Sequence, residues 1–345
     1  MKMANDIPFD DRVNHNASID DLNVQLVRQY LYAVKSALLD EMSRITSKEL
    51  FRRMNIVGGP DEGMKPKNIG LMLFSDDPQK FFPRTTIDVV KYKDDVGDDF
   101  DEKIFTGPAH EQVRAALVYI KNLVIVEYVH KVDGRAEADR FFNYPYAAIE
   151  ESLVNAVYHR SYEKREPIEV RIYPDKIYVI SYPGPMPPLG KDNINEPNVT
   201  PHCYRNSRLG DSLKELELTE GRCTGFPKIR RALKNNGSPA PVFETDDDRE
   251  YFMVTLKINP RAQEMAAKIA PSRGRLSEGL SEVLSEGLKS LLRIIQENPG
   301  IKAKNLSPHL KDRPIKTIER QIKILVDKEL IERRGSRKTG GYFIK

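Results

Sequence analysis

Hydrophobic and polar positions alternate most cleanly near the middle of the chain. The runs Ile168–Tyr173 (IEVRIY) and Lys176–Tyr182 (KIYVISY) set apolar side chains at alternating positions, and Pro174-Asp175 between them carries turn chemistry, so the pattern predicts a β-hairpin. Upstream, Glu150–Tyr162 (EESLVNAVYHRSY) reads as a helix. Downstream, Glu220–Leu233 (EGRCTGFPKIRRAL) predicts a glycine-bearing turn that runs into an amphipathic helix, and Arg249–Ile258 a strand. Toward the N-terminus, residues 18–57 are helical by pattern, with a start at Ser18–Asp21 and a second helix from Thr46 or Ser47 through Met54. Residues 69–92 are expected to hold two strands. Pro108 to about Val129 is expected to form one long helix, apolar almost all round, as in a buried core helix.

The C-terminal pattern is of another kind. LKSLLRIIQENPG predicts a helix ending at Asn298-Pro299-Gly300, IKAKNLSPHL a short second helix, and Pro314 the start of a third with Ile318, Ile322, Leu325 and Val326 on one face. The strands IERRG and GYFIK then flank a basic loop, Ser336–Gly340, the order and size of a winged helix-turn-helix. Ahead of it, a four-residue L-S-E-(G/V) period aligns Leu276, Leu280, Leu284 and Leu288. That stripe serves either as a semi-flexible spacer, weakened by Gly279 and Gly287, or as a self-association seam; the expectation is a dimer. The domain reading is an N-terminal helical and α/β subdomain over 1–143, a second domain over 144–260, a helical linker over 261–288 and the winged helix over 289–345. The fold class expected is α+β.

Composition narrows the function classes. With 31% charged and 39% hydrophobic residues over 345 positions, the chain is an ordinary globular protein. No apolar run approaches a membrane span and the N-terminus has no apolar signal region, so no membrane partner is expected and the default compartment is the cytoplasm. Cys203 and Cys223 agree with reducing surroundings, and His202 beside Cys203 lacks the spacing of a zinc site. Charge is uneven. Residues 289–345 carry 15 Lys and Arg against 6 Asp and Glu, a net +9, while the whole chain is +4 and the remainder therefore −5. With the apolar side of the third helix turned inward, Lys316, Thr317, Arg320 and Lys323 are left to face outward. With Arg337 and Lys338 of the loop, they point to double-stranded DNA as partner, although winged helices also serve as protein-binding modules.

Candidate chemistry centres on Glu151 and Asn155. Four residues apart on a helix, they stack on one face; the amide oxygen suits Mg²⁺ and the carboxylate can act as general base toward a γ-phosphate. Gly184 in the loop Ser181–Pro188, and Gly221, Thr224 and Gly225 ahead of a helix N-terminus, add backbone N–H groups suited to an anion. No G-x-x-x-x-G-K-[ST] loop occurs; in Gly58–Lys65 (GGPDEGMK), Met64 stands where the lysine is needed.

The E-x-x-x-N helix, hairpin, glycine loop, T-G turn, helix and closing strand, in this order, resemble the GHKL-type (Bergerat) ATPase-like domain of bacterial "divergent AAA" and Schlafen/AlbA-linked regulators, often labelled helicase RecG C-terminal-like. IPFDDRVNHNASIDDLN (Ile7–Asn23) and GLMLFSDDPQKFFP (Gly70–Pro83) resemble the segments preceding that domain, so the likeness spans most of residues 7–258. Such relatives usually begin with an AlbA-like DNA-binding module, and this chain starts where that module would end. The resemblance implies ATP and Mg²⁺ as cofactors, with Asn155 on the metal and Glu151 as base. Two departures stand out: SYPGPMPP holds no acid where the D-x-G-x-G aspartate would meet adenine, and the glycine lid shrinks to Gly221–Gly225. The expectation is a DNA-binding regulator with slow ATP turnover at most. An ATP-dependent enzyme on nucleic acid and a non-catalytic assembly protein are the alternatives.

Overall fold

The computed structural model describes residues 7–92, 99–131, 138–196, 205–218, 225–267, 286–306, 310, 314–327, 330–334 and 341–344. The chain divides into two compact units, residues 1–264 and 265–345, and is α+β.

In the first unit, six strands form one mixed sheet: β3 (Ile87–Tyr92), β4 (Phe100–Phe105), β7 (Ile168–Ile172), β8 (Lys176–Ser181), β9 (Val242–Glu244) and β10 (Phe252–Lys257), in the order β4-β3-β7-β8-β10-β9. Only β3 and β7 run parallel. The hairpin predicted from alternation is β7–β8: Ile168, Val170 and Ile172 are buried while Glu169 and Arg171 are half-buried. The boundary expected at residue 143 falls inside this unit, because β3 and β4 lie before it and pair into the sheet whose other strands lie after it.

Helices α5 (Ala109–Leu123), α6 (Tyr146–His159) and α8 (Gly225–Asn236) pack as one layer, α5 and α6 resting directly on the strands. Helix α6 buries Ala148, Ile149, Leu153, Val154, Ala156 and Val157. Its last carbonyls are satisfied from α7 (Ser207–Glu215): Asn206 Nδ2, just before α7, donates to the carbonyls of Tyr158 (3.0 Å) and Arg160 (2.8 Å). Gly210 lets α7 lie against the Tyr158 ring, into which a Cβ there would run.

The N-terminal part differs from expectation in three places. Ser18 and Asp21 do form a capping box, but on a single 3-10 turn, Ile19–Asp21; α1 (Val24–Ala33) is capped by Asn23. The segment read as the first of two strands in 69–92 is helix α4 (Asn68–Phe74), all seven residues buried; a short continuous apolar run has no period to separate strand from buried helix. The long helix expected from Pro108 to Val129 stops at Leu123, and Glu127–Lys131 (β5) turns into a hairpin with Ala138–Phe142 (β6). The β-branched run Val124-Ile125-Val126 favours leaving the helix, and Val118 and Leu123 are exposed, so α5 has an outer face. Short helices α2 (Leu38–Glu41) and α3 (Ser47–Arg53, capped by Thr46) and the small β1–β2 pair (Val57–Gly58 with Lys65–Pro66) complete the region.

The second unit contains a helix Glu286–Glu297, a 3-10 turn Ala303–Asn305, a helix Ile315–Asp327 and an antiparallel pair, β11 (Ile331–Arg334) with β12 (Gly341–Ile344). Its core joins Leu288, Leu291, Ile295, Leu306, Ile318, Ile322 and Leu325. Val326, expected on the apolar face, is 40% exposed. Eight residues past Ile318 it has rotated roughly 80° off that stripe, whereas Ile322 and Leu325 stay on it.

Candidate functional site

Glu151 and Asn155 do share one face of α6, and that face meets the first turn of α8. Asn155 Nδ2 donates to Glu151 Oε1 at 3.2 Å. The other carboxylate oxygen, Oε2, is 3.1 Å from the Lys228 ammonium, with Glu151 4% and Lys228 19% exposed. Gly225, at the start of α8, sits directly on the pair: a Cβ there would lie 2.6 Å from Asn155 Nδ2 and 3.1 Å from Glu151 Oε1. A glycine is needed for this approach of backbone to side chain.

Sequence reasoning missed Lys228. A lysine in the first turn opposes the positive end of the helix dipole, so it needs a carboxylate nearby; that conflict is the signal that could have found it. Glu151 is that carboxylate. One carboxylate oxygen of Glu151 accepts from the Asn155 amide and the other lies against the Lys228 ammonium, so both are engaged within the protein. Its carboxylate and the Asn155 carbonyl are hard donors of the kind Mg²⁺ takes, but an ammonium already supplies the positive charge beside the acid.

Gly184 has a different role from the one expected. Its N–H donates to the Arg249 carbonyl at 2.7 Å, and a Cβ would strike Thr245 Oγ1 and the Tyr251 carbonyl, each at 2.6 Å. The glycine lets two loops touch, and its N–H is already committed to that contact. The Tyr182-Pro183 and Pro187-Pro188 peptides in this loop are cis. Arg205 ties the loop to the end of α6, donating to the His159 carbonyl at 2.6 Å and to the Gly184 carbonyl at 3.4 Å. Burial, with Arg205 close by, pushes His159 down to about 4, so its imidazole is neutral at pH 7.

Gly221 and Thr224 lie outside the described residues, as do Arg337, Lys338, Leu276, Leu280 and Leu284. Leu288 is 8% exposed and belongs to the core of its own unit, so it is not free to line a seam. Lys316, Arg320 and Lys323 are exposed on the Ile315–Asp327 helix and Thr317 is half-buried. Among the described residues no cluster of His, Cys, Asp and Glu could hold a metal ion, and no helix is long and apolar enough to cross a membrane.

Residues 166–256 match the family model described as "Putative ATP-dependent DNA helicase recG C-terminal", an HATPase-type domain. The match takes in β7, β8, α7, α8, β9 and β10; Glu151 and Asn155 precede it. No curated protein matches the chain. Among solved structures it is similar to the DIP2311 protein from Corynebacterium diphtheriae, at 16% identity over 98% of this chain and 70% of that one, with a TM-score of 0.52. That likeness is one of fold.

Proposed function

We propose that this chain is a DNA-binding transcriptional regulator with a GHKL-like domain held closed. The observation that carries the reading is the Ile315–Asp327 helix, whose buried Ile318, Ile322 and Leu325 leave Lys316, Arg320 and Lys323 exposed at one-turn spacing on the other side. In a winged helix this is the helix that enters the major groove, and the strongly basic C-terminal stretch supplies the phosphate attraction. A duplex contacted this way is tested by fluorescence anisotropy of the whole chain at several salt concentrations. Binding that weakens steeply with salt supports the reading; no binding to any duplex at low salt rejects it and leaves a protein-binding module.

The HATPase-type domain is compatible with ATP, with Asn155 as the residue that would hold its Mg²⁺ and Glu151 as the base. Nucleotide then competes with Lys228 for Glu151 and with Gly225 for the space beside Asn155. Calorimetric titration of ATP and ADP with Mg²⁺ tests this point. Weak binding that Asn155→Ala removes fits a sensor, and silence at millimolar nucleotide fits a scaffold. A helicase reading is poorer: the sequence contains no P-loop lysine motif, and the general base it would borrow is ion-paired.

A further inference from the structure

The six-stranded sheet ends in two edges of different kinds. Strand β9 is blunted: it is three residues long and is preceded by Pro239 and Pro241, which have no N–H to offer a further strand. Strand β4 is not. It runs from Phe100 to Phe105, as long as any strand of the sheet, pairs with β3 at every residue without a bulge, and contains no proline. Alternate backbone N–H and C=O groups of an edge strand point away from its sheet, and among the described residues no strand pairs with the outer side of β4.

The side chains of β4 follow a pattern that suits one kind of partner. Phe100 and Ile104 are 50% and 49% exposed and share a face with Glu102 between them. On the other face Phe105 is buried, its ring centroid 5.8 Å from that of Tyr119 on α5, while Asp101 and Lys103 are exposed. Read outward from Glu102 in either direction, the strand gives a charge and then a large apolar side chain, and the two charges are opposite. A second copy of β4, turned about a two-fold axis through Glu102 and normal to the sheet, therefore sets Phe100 opposite Ile104 and Asp101 opposite Lys103, each on its own face. An axis through Asp101 or Lys103 instead puts Glu102 opposite Phe100 or Ile104, and the apolar match is lost.

We propose that β4 is a self-association edge, through which two copies of this chain pair antiparallel about Glu102 and join two sheets into one. Phe100 meets Ile104 of the partner and Asp101 meets Lys103 of the partner, each contact being made twice by symmetry. The two Glu102 carboxylates face each other across the axis and limit the affinity. A single strand pair is well below the size of a standard interface, so the dimer is a micromolar one that dissociates on dilution. It needs neither the leucine stripe, nor nucleotide, nor DNA.

Sedimentation velocity of the whole chain over a concentration series provides the test. The chain should pass from monomer to dimer as concentration rises. Ile104→Lys, at an exposed position, should weaken dimerisation by about tenfold, because two apolar contacts are lost per dimer. Asp101→Lys should also weaken it, and Asp101→Lys combined with Lys103→Asp, which exchanges the charges and restores both pairs, should recover it. Glu102→Gln should tighten the dimer about threefold, a gain that a misfolded chain does not produce. A chain that stays monomeric throughout, a dimer indifferent to both Ile104→Lys and Glu102→Gln and so held by another surface, or a charge exchange no tighter than Asp101→Lys alone overturns the proposal.

Discussion

The first turn of α8 and the Ile315–Asp327 helix both carry lysines on amphipathic helices, yet their charges are spent in opposite ways. Lys228 lies against a carboxylate that is 4% exposed and neutralises it inside the protein. Lys316, Arg320 and Lys323 are exposed. A cation turned inward maintains a closed site; cations left outward are available to a partner. Residue type does not separate the two cases; the direction each cation faces does.

The largest effect that could break this contrast is expected at Lys228. Lys228→Met leaves the Glu151 carboxylate buried without its partner and should cost about 3 kcal/mol of stability, seen as a lower urea midpoint. A loss under about 1 kcal/mol would mean the pair is loose and the site already open. Gly184→Ala comes next. Its Cβ would collide with the backbone oxygens of Tyr251 and Arg249, at 2.6 and 2.9 Å, so about 2 kcal/mol should be lost whether or not nucleotide is present. Stability unchanged together with weakened nucleotide binding would return this glycine to a phosphate-holding role.

Acid should act at a place neither helix touches. His110, buried in the first turn of α5 with Nδ1 unpartnered among the described residues, is pushed down to about 4 by burial and by Arg114. The unfolded chain takes up the proton from about pH 6.5 downward and the folded one only near 4, so stability present above 6.5 is lost as pH falls between those values, about 2 kcal/mol by pH 5. Asp10, whose buried carboxyl is raised, works in the opposite direction. His159, likewise pushed down to about 4, adds a loss of similar size, so urea midpoints at pH 7 and pH 5 should show a fall that His110→Gln about halves; a fall of undiminished size in that variant removes His110 as a cause. The smallest effect is Gly225→Ala, about 1 kcal/mol, as the added methyl pushes α8 off Asn155. If melting does not move, the α8 turn yields freely and the closure is weak.

Legibility in the sequence followed periodicity. The β7–β8 hairpin and α6 could be read because one face of each is buried and the pattern repeats over several residues. Strand β4 could not: Phe100, Asp101, Glu102 and Lys103 are all exposed on an edge strand, with no alternation to see. Helix α4 and the end of α5 were misread because their apolar runs have no period. The partnership of Glu151 with Asn155 was legible from spacing, whereas Lys228 is 77 residues distant and only tertiary packing brings it to the acid. Gly184 was expected to hold phosphate on its residue type, and only the facing loop reveals why it is glycine.

On the function proposed above, the outward cations of the C-terminal helix bind duplex DNA while the inward lysine of α8 does not. The slope of duplex affinity against salt tests it most directly, in the whole chain, in Lys316/Arg320/Lys323→Ala, and in Lys228→Met after circular dichroism shows it folded. The triple variant should flatten the log–log slope by about three units, roughly one per lost phosphate contact, and Lys228→Met should leave it unchanged. A slope unaltered in the triple variant, or flattened by Lys228→Met instead, would contradict the account.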